Sequence, residues 1–245
     1  NSLKAILHNH ALLTLEKKIN RKDIPLFIDQ FCEENLFFHY CRNQKELIKG
    51  ATFKTKGESL FPSVAVASLI ARYTFIKKME ELGMILDVSH TNEKTFWDIC
   101  KVATKPFIAS HSNCRSLCDV PRNLTDDQLK EIAIRNGVVG VNSYEEFVSS
   151  DLEKRTVEHL VDHIDHMVEV MGIDHIGLGF DFAEYLNADT LKHYASTYTY
   201  GVRGLEDTTK AKNIISVLEK RGYSKEDIEK MCYKNFNRVI KDIIK

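Results

Sequence analysis

Residues 84–90 of this chain are MILDVSH, a short apolar run that ends on a histidine and precedes a helical pattern. Residues 106–111 (PFIASH) have the same design, and residues 175–181 (HIGLGFD) end on an aspartate. Strands that alternate with helices and carry reactive side chains at their carboxyl ends are typical of the (β/α)8 TIM barrel, whose active site lies at that end. We therefore predict an α/β fold of the TIM-barrel type.

The number of strands is the first departure from a complete barrel. Six short apolar runs precede helical patterns: residues 11–15, 36–40, 84–88, 106–110, 137–142 and 176–181. A closed barrel has eight. Because no Pro/Gly/Ser-rich linker divides the chain, we predict one domain over residues 1–245 that lacks its first strands. An open barrel exposes strand edges, so it would need a partner to cover them, and a homo-oligomer is one option.

The helices between the runs have recognisable boundaries. Periodic apolar positions predict helices over residues 64–82, 91–102, 156–171, 208–221 and 225–244. Thr125 stands three residues before Gln128, and Ser224 three before Asp227, which is the spacing of a capping box. Residues 49–61 and 185–206 are predicted to be long loops, which in a barrel could form lids over the site.

Composition narrows the classes of function. The 245 residues carry a formal net charge of -1 and are 43% hydrophobic, so nothing attracts the whole chain to nucleic acid or an anionic membrane. A small molecule or peptide is therefore the expected substrate. The six scattered cysteines suggest free thiols in a reducing compartment, and no apolar run approaches the roughly 20 residues of a membrane span. We expect a cytoplasmic protein, and the first residue is not Met, which is compatible with missing upstream residues.

His90 and His111 are the strongest candidates for chemistry. Each ends an apolar run, and they are one βα unit apart, so neighbouring strand ends could place both imidazoles on one metal ion. The alternative is that each histidine caps its strand and hydrogen-bonds locally. Together with an aspartate that arrives in the same way, the pair indicates metal-assisted hydrolysis.

Two carboxylates join these histidines as candidates. Glu16 stands at the end of the run 11–15, where it could ligate or bridge metals, although a surface ion pair with the lysines that follow explains it equally well. Asp181 lies between Phe180 and Phe182, and apolar walls there would raise its pKa and suit it to proton transfer. The alternative for Asp181 is an N-cap on the next segment.

The remaining candidates depend more on context. His39, inside the run 36–40, is at least as compatible with a core histidine as with a site residue. Arg122 precedes a capped helix, so it could bind a substrate carboxylate through two parallel hydrogen bonds, or it could simply be solvated. The histidines of the helix 156–171 alternate with acidic residues around an apolar stripe, which favours a solvated outer face over a ligand cluster.

Four segments together resemble a known family. Residues 83–90, 109–113, 121–127 and 172–182 are similar, in order and with family-like spacing, to the renal (membrane) dipeptidase family, peptidase family M19. The resemblance extends from about residue 60 to residue 245 and is weak before residue 57. The resemblance implies a zinc hydrolase that cleaves dipeptides, with a barrel of the amidohydrolase type.

The resemblance also implies roles for single residues. His90 and His111 look like the two histidine ligands of one zinc, and Glu16 looks like the carboxylate that bridges both metals. His39 resembles the histidine that steadies the scissile carbonyl. Arg122 resembles the clamp for the terminal carboxylate of the dipeptide, and Asp181 resembles the acid/base.

Departures from the family pattern keep a second hypothesis open. The family's first strand carries a His-x-Asp pair that completes the other zinc, and no His-x-Asp occurs in this sequence. Lys17 and Lys18 stand where the family has glycines, and Ala183-Glu184 replaces Asp-Gly. We therefore expect one zinc site that is nearly complete and a second that is not. The two main hypotheses are a dipeptidase that uses a metal-activated water and a catalytically impaired homologue that binds peptides or a partner protein. A third is another amidohydrolase activity on the same barrel, because a fold alone does not determine the chemistry.

Overall fold

A computed structural model describes residues 1–21, 23–186, 188–191 and 201–244. The contacts within the chain divide it into two compact units, residues 1–75 and residues 76–245. The sequence predicts one domain over residues 1–245, and that domain remains a prediction. Each unit is therefore described by itself.

Unit 1 is a small α/β unit whose helices and strands are α1 (Ser2–Ile19), β1 (Leu26–Asp29), α2 (Glu34–Cys41), β2 (Ala51–Lys54), α3 (Gly57–Leu60) and the first part of α4 (Pro62–Glu81). The strands β1 and β2 pair in parallel, with Leu26 opposite Ala51. Ile28, Phe37 and Ile48 are at the centre of its apolar core.

The first two predicted strands are wrong. Residues 11–15 lie within α1, and residues 36–40 lie within α2. A short apolar run has the same composition in a buried strand and on one face of a helix, so periodicity alone could not distinguish them. The true strands of unit 1 were missed, and the predicted loop 49–61 contains both β2 and α3.

Among the described residues of unit 2, the end of α4 is followed by the α-helices and strands α5 (Glu93–Val102), β3 (Ile108–Ala109), α6 (Asp126–Ile134), β4 (Val138–Val141), α7 (Glu145–Val148), α8 (Val157–Met171), β5 (Ile176–Leu178), α9 (Ala188–Leu191), α10 (Asn213–Lys220), α11 (Lys225–Glu229) and α12 (Asn235–Ile243). A π-helical stretch over Lys230–Lys234 joins α11 to α12. The second predicted loop, residues 185–206, contains α9, and its residues 187 and 192–200 lie outside the described residues.

The sheet of unit 2 is parallel, as predicted. Its strand order is β3-β4-β5. The run 84–88 lies on the other side of β3, because the N–H of Val88 donates to the carbonyl of Ile108 at 2.8 Å and the N–H of Ile108 donates to the carbonyl of Leu86 at 3.0 Å. Four predicted runs therefore lie side by side. Among the described residues the strands form two small parallel sheets, and the complete barrel is not seen.

Helix α8 packs against this sheet through a fully buried apolar stripe that contains Leu160, Ile164 and Met167. Side-chain caps form at the starts of α5, α6, α8 and α11, whereas the helix predicted from residue 208 begins as α10 at Asn213 without a side-chain cap. The side chain of Asn92 accepts a hydrogen bond from the N–H of Thr95, and both predicted capping boxes form. None of the described helices is sufficiently long and apolar to span a bilayer.

Candidate metal centre

His90 and His111 lie side by side at the carboxyl ends of neighbouring strands in unit 2. Their Nε2 atoms are 2.9 Å apart, and their ring centroids are 4.9 Å apart. Two imidazoles on one tetrahedral zinc, with Zn–N of about 2.0–2.1 Å, hold their nitrogens roughly 3.3 Å apart. The observed pair therefore needs to separate by less than half an ångström to hold such an ion.

Two glycines allow the strands to approach this site closely. A Cβ atom at Gly140 would lie 2.1 Å from the carbonyl oxygen of Ser110, and one at Gly179 would lie 1.8 Å from the same oxygen. No side chain fits at those distances. The glycines therefore let the backbone before His111 lie directly against the ends of β4 and β5.

The charges around His90 favour its neutral form. Burial lowers the pKa of His90, the positive Arg122 and the neighbouring His111 lower it further, and Asp181 and Asp87 oppose the shift. A neutral imidazole is the form that ligates a metal. The same interactions place Arg122 and Asp181 within electrostatic reach of His90.

Arg122 is held beside the histidine pair by two contacts. Its Nη2 donates to the carbonyl oxygen of His111 at 3.5 Å, and its guanidinium carbon lies 5.2 Å from the centroid of the Phe147 ring. An arginine that rests on an aromatic face keeps its planar fork ordered. The guanidinium is therefore positioned to meet an anionic group that approaches the histidines.

Asp181 follows β5 and is exposed. The predicted enclosure by Phe180 and Phe182 is therefore wrong, although these two rings lie 5.2 Å apart. Asp181 and His90 both adopt a left-handed backbone, with φ of 59° and 66°. Such residues are uncommon away from glycine, and they cluster at functional sites.

Glu16 and His39 do not stand at strand ends. Glu16 is half-buried within α1, and the predicted ion pair partner Lys17 instead contacts Glu46 at 2.6 Å. His39 lies exposed on α2, where its Nε2 accepts a hydrogen bond from Nη1 of Arg42 at 2.9 Å. Both belong to unit 1, so the placement inferred for them from the sequence is wrong, while their predicted roles remain predictions.

Two residues beside the site were not predicted. Asp87 lies within the first quoted stretch and Ser110 within the second, and their side chains meet next to His111. Burial opposes ionisation of Asp87, but hydrogen bonds from Ser110 and Ser89 outweigh it and lower the pKa of this carboxyl. The only signal in the sequence was their position close to predicted ligands, with Ser110 next to His111 and Asp87 three residues before His90.

The histidines of α8 serve other purposes. His163 is buried, so the predicted solvated face is wrong for this residue. Its Nδ1 accepts from the N–H of Cys114 at 3.1 Å, and its Nε2 donates to the carbonyl of Val148 at 3.0 Å. His166 contacts Asp126 at 2.9 Å, and His159 contacts Thr156 at 3.0 Å. They form no ligand cluster.

The donor set at His90 and His111 fits part of a zinc site. Two neutral imidazoles are common zinc ligands. Within the described ranges, however, no group of three or more His, Cys, Asp or Glu side chains is arranged to hold an ion. The pair can therefore supply two ligands, and the set remains incomplete.

Two family models match the chain, and their matches overlap over residues 73–94. Residues 73–245 match the model of the membrane dipeptidases, peptidase family M19. Residues 1–94 match the model of ribonuclease HII. Glu16 and His39 therefore lie outside the dipeptidase match, whereas His90, His111, Arg122 and Asp181 lie within it.

Relatives and solved structures agree with the first of these matches. A Klebsiella pneumoniae protein described as an uncharacterized protein in the pqqA 5' region is 37% identical over 74% of this chain and 63% of its own length. Dipeptidase tcpJ of Claviceps purpurea is 34% identical over 69% of this chain and 36% of its own. The chain thus spans between about a third and two thirds of these relatives.

A solved metallopeptidase from Rhodobacter sphaeroides, described with a bound phosphinate mimic of the dipeptide L-Ala-D-Ala, is 28% identical. The two structures superpose with a TM-score of 0.60, and the aligned region covers 70% of this chain and 46% of the Rhodobacter chain. An amidohydrolase from Pseudomonas aeruginosa is also 28% identical, with a TM-score of 0.62 over 70% of this chain and 56% of its own.

Proposed function

This chain belongs to the membrane dipeptidase family, peptidase family M19, and we propose that its unit 2 carries the zinc-binding and substrate-binding half of a dipeptidase site. The observation that carries the proposal is the approach of His90 and His111, at 2.9 Å, within the part of the chain that matches the family. The proposed reaction is hydrolysis of the peptide bond of a dipeptide, and the proposed complete fold is an amidohydrolase-type barrel.

His90 and His111 would hold one zinc ion through their Nε2 atoms. When bound, zinc supplies a Lewis acid that activates a water molecule and polarises a carbonyl. The protein's part is to keep both imidazoles neutral and correctly turned. The lowered pKa of His90 meets the first of these needs for His90.

Arg122 and Asp181 would act on the dipeptide itself. The guanidinium of Arg122 offers a planar fork for the terminal carboxylate, which would align the scissile bond and favour substrates of two residues. Asp181 is exposed at the same end of the sheet. It can take a proton from the attacking water and deliver it to the leaving amine.

Glu16 as a bridging carboxylate and His39 as a carbonyl-steadying histidine remain predictions. Neither lies in the segment that matches the dipeptidase family. A complete site under this proposal needs a bridging carboxylate and further ligands besides the histidine pair. Glu16→Gln and His39→Asn test whether unit 1 provides any of them, because zinc content and turnover that match the unsubstituted chain would exclude both roles.

The proposal is tested by measuring zinc content and the release of free amino acids from a panel of dipeptides. We expect about one zinc per chain, bound much more weakly in His90→Ala and in His111→Ala, and a substantial rise in KM for Arg122→Lys. His159→Asn, on α8, serves as the matched control and should retain both. Absence of bound zinc and of turnover would contradict the proposal, while bound zinc without turnover would favour a homologue that binds peptides.

A second candidate function concerns unit 1. Residues 1–75 contain 11 Lys and Arg against 7 Asp and Glu, a net charge of +4, whereas the whole chain has -1. A basic unit that matches the ribonuclease HII model over residues 1–94 favours contact with RNA. Fluorescence anisotropy of a labelled RNA with the full chain tests this, and binding that does not weaken with salt, or no binding, would contradict it.

A further inference from the structure

The side chains of Asp87, Ser110 and His111 form a continuous chain of hydrogen bonds. The Oγ of Ser110 lies 2.5 Å from Oδ2 of Asp87 and 2.7 Å from Nδ1 of His111. The other carboxylate oxygen, Oδ1 of Asp87, accepts from the backbone N–H groups of Ser89 at 2.9 Å and of Ser110 at 3.1 Å. The carboxylate is therefore fixed by the backbone, and it in turn fixes the hydroxyl.

The donors and acceptors in this series of hydrogen bonds allow one arrangement of protons. An ionised carboxylate can only accept, and a serine hydroxyl has a single hydrogen to donate. The hydroxyl of Ser110 therefore donates to Asp87, because Oγ of Ser110 and Oδ2 of Asp87, 2.5 Å apart, would repel each other without a hydrogen between them. Ser110 is then left with lone pairs toward His111, so Nδ1 of His111 must carry the hydrogen.

We propose that Asp87 and Ser110 are positioning residues that fix His111 as the Nδ1–H tautomer and thereby keep the lone pair of Nε2 available for a divalent metal. This inference rests on the proposed function for its purpose, but the tautomer itself does not depend on it. Outer hydrogen bonds of this kind orient metal-ligating histidines and raise their basicity. With this tautomer, Nε2 of His111 accepts a hydrogen bond from Nε2 of His90 at 2.9 Å.

Replacing Asp87 by asparagine is expected to reverse the direction of these hydrogen bonds while it preserves the shape of the side chain. The amide oxygen of an Asp87→Asn side chain retains both backbone hydrogen bonds, while its NH2 group faces Ser110 as a donor. The hydroxyl of Ser110 then turns to donate to Nδ1 of His111. The hydrogen of the imidazole moves to Nε2, which is the atom needed for the metal.

The test is ¹⁵N NMR of the full chain, metal-free and labelled at histidine, at a pH where the imidazoles are neutral. The His111 signals are assigned by their loss in His111→Asn. We expect the Nδ1–H tautomer in the unsubstituted chain and in Ser110→Thr, which keeps a hydroxyl. Asp87→Asn should show the Nε2–H tautomer, and its zinc affinity should fall by about 10–100-fold.

Ser89→Ala is the matched control, because Oγ of Ser89 contacts the backbone N–H of His111, at 3.1 Å, and not the ring. It should keep the Nδ1–H tautomer. An Nε2–H tautomer in the unsubstituted chain, or an unchanged tautomer in folded Asp87→Asn, would overturn the proposal. If the tautomers behave as expected but the unsubstituted chain binds no zinc, the proposed function fails and the positioning of His111 stands.

Discussion

Replacing His163 by asparagine is expected to remove an acid-dependent loss of stability from unit 2. Burial lowers the pKa of His163 from its ordinary value of 6.5 to about 4. Protonation in the fold would put a second N–H on Nδ1, directly against the N–H of Cys114 that this nitrogen now accepts. The folded unit therefore excludes the proton that the unfolded chain takes up below pH 6.5.

The sign and size of the change in the free energy of unfolding with pH follow from proton linkage. Between pH 6.5 and pH 4 the unfolded chain binds more protons at this site, so stability present above pH 6.5 is lost as the pH falls. The loss due to His163 alone is about 1.4 kcal/mol at pH 5.5, and it approaches roughly 3 kcal/mol near pH 4. For a urea slope of about 2 kcal/mol/M, the midpoint should drop by about 0.7 M between pH 7.5 and pH 5.5.

The single tryptophan makes the assay selective. Trp97 lies on α5 of unit 2 and packs edge-on against Phe96 with ring centroids 5.2 Å apart, so its fluorescence reports the unfolding of this unit. In His163→Asn the amide oxygen can still accept from Cys114. We expect this variant to be less stable at pH 7.5 by about 1–3 kcal/mol, because the carbonyl of Val148 loses its donor.

Between pH 7.5 and pH 5.5, the midpoint of His163→Asn should fall by about 0.7 M less than that of the unsubstituted chain. The control is His159→Asn, which removes a half-buried imidazole from the same helix. Its urea midpoint should fall between pH 7.5 and pH 5.5 by as much as that of the unsubstituted chain. Carboxyl groups with ordinary pKa values contribute little in this window. Equal pH dependence in His163→Asn and the unsubstituted chain would refute the reasoning.

Three further substitutions are checked by the same Trp97 unfolding assay. Glu80→Ala should lower the free energy of unfolding by about 3 kcal/mol, because the buried carboxylate accepts hydrogen bonds from the N–H groups of Thr104 at 2.6 Å and of Lys105 at 3.0 Å. A decrease of less than about 1 kcal/mol would contradict this. Thr125→Ala should cost about 1 kcal/mol through loss of the capping box at α6, whereas Thr125→Ser should cost little. Gly179→Ala should cost at least about 2 kcal/mol, because its Cβ would meet the carbonyl of Ser110, and an unchanged midpoint would show that the strands can part.

The sequence predicted unit 2 well because local chemistry and tertiary packing agree there. The histidines at the ends of the runs 84–88 and 106–110 do meet, and the capping boxes at Thr125 and Ser224 form as their spacing indicates. Each of these inferences depends on residues that are near in sequence or on one parallel pairing. Such patterns are visible without knowledge of the rest of the fold.

Unit 1 shows where this reasoning fails. The run before Glu16 and the run around His39 were interpreted as strands because each is a short apolar run ahead of a helical pattern, yet both are helical. Burial on one helical face produces the same short apolar run as a buried strand. The position of His163 could not be predicted either, because whether a helix face meets solvent or Cys114 depends on contacts 49 residues apart.

X-ray absorption at the zinc edge of the zinc-loaded chain tests the central claim most directly. We predict two imidazole nitrogens at about 2.0–2.1 Å from the metal, with one of them lost in His90→Ala and one in His111→Ala. A zinc environment that is unchanged in the double variant His90→Ala/His111→Ala would contradict the assignment of this pair as the metal ligands.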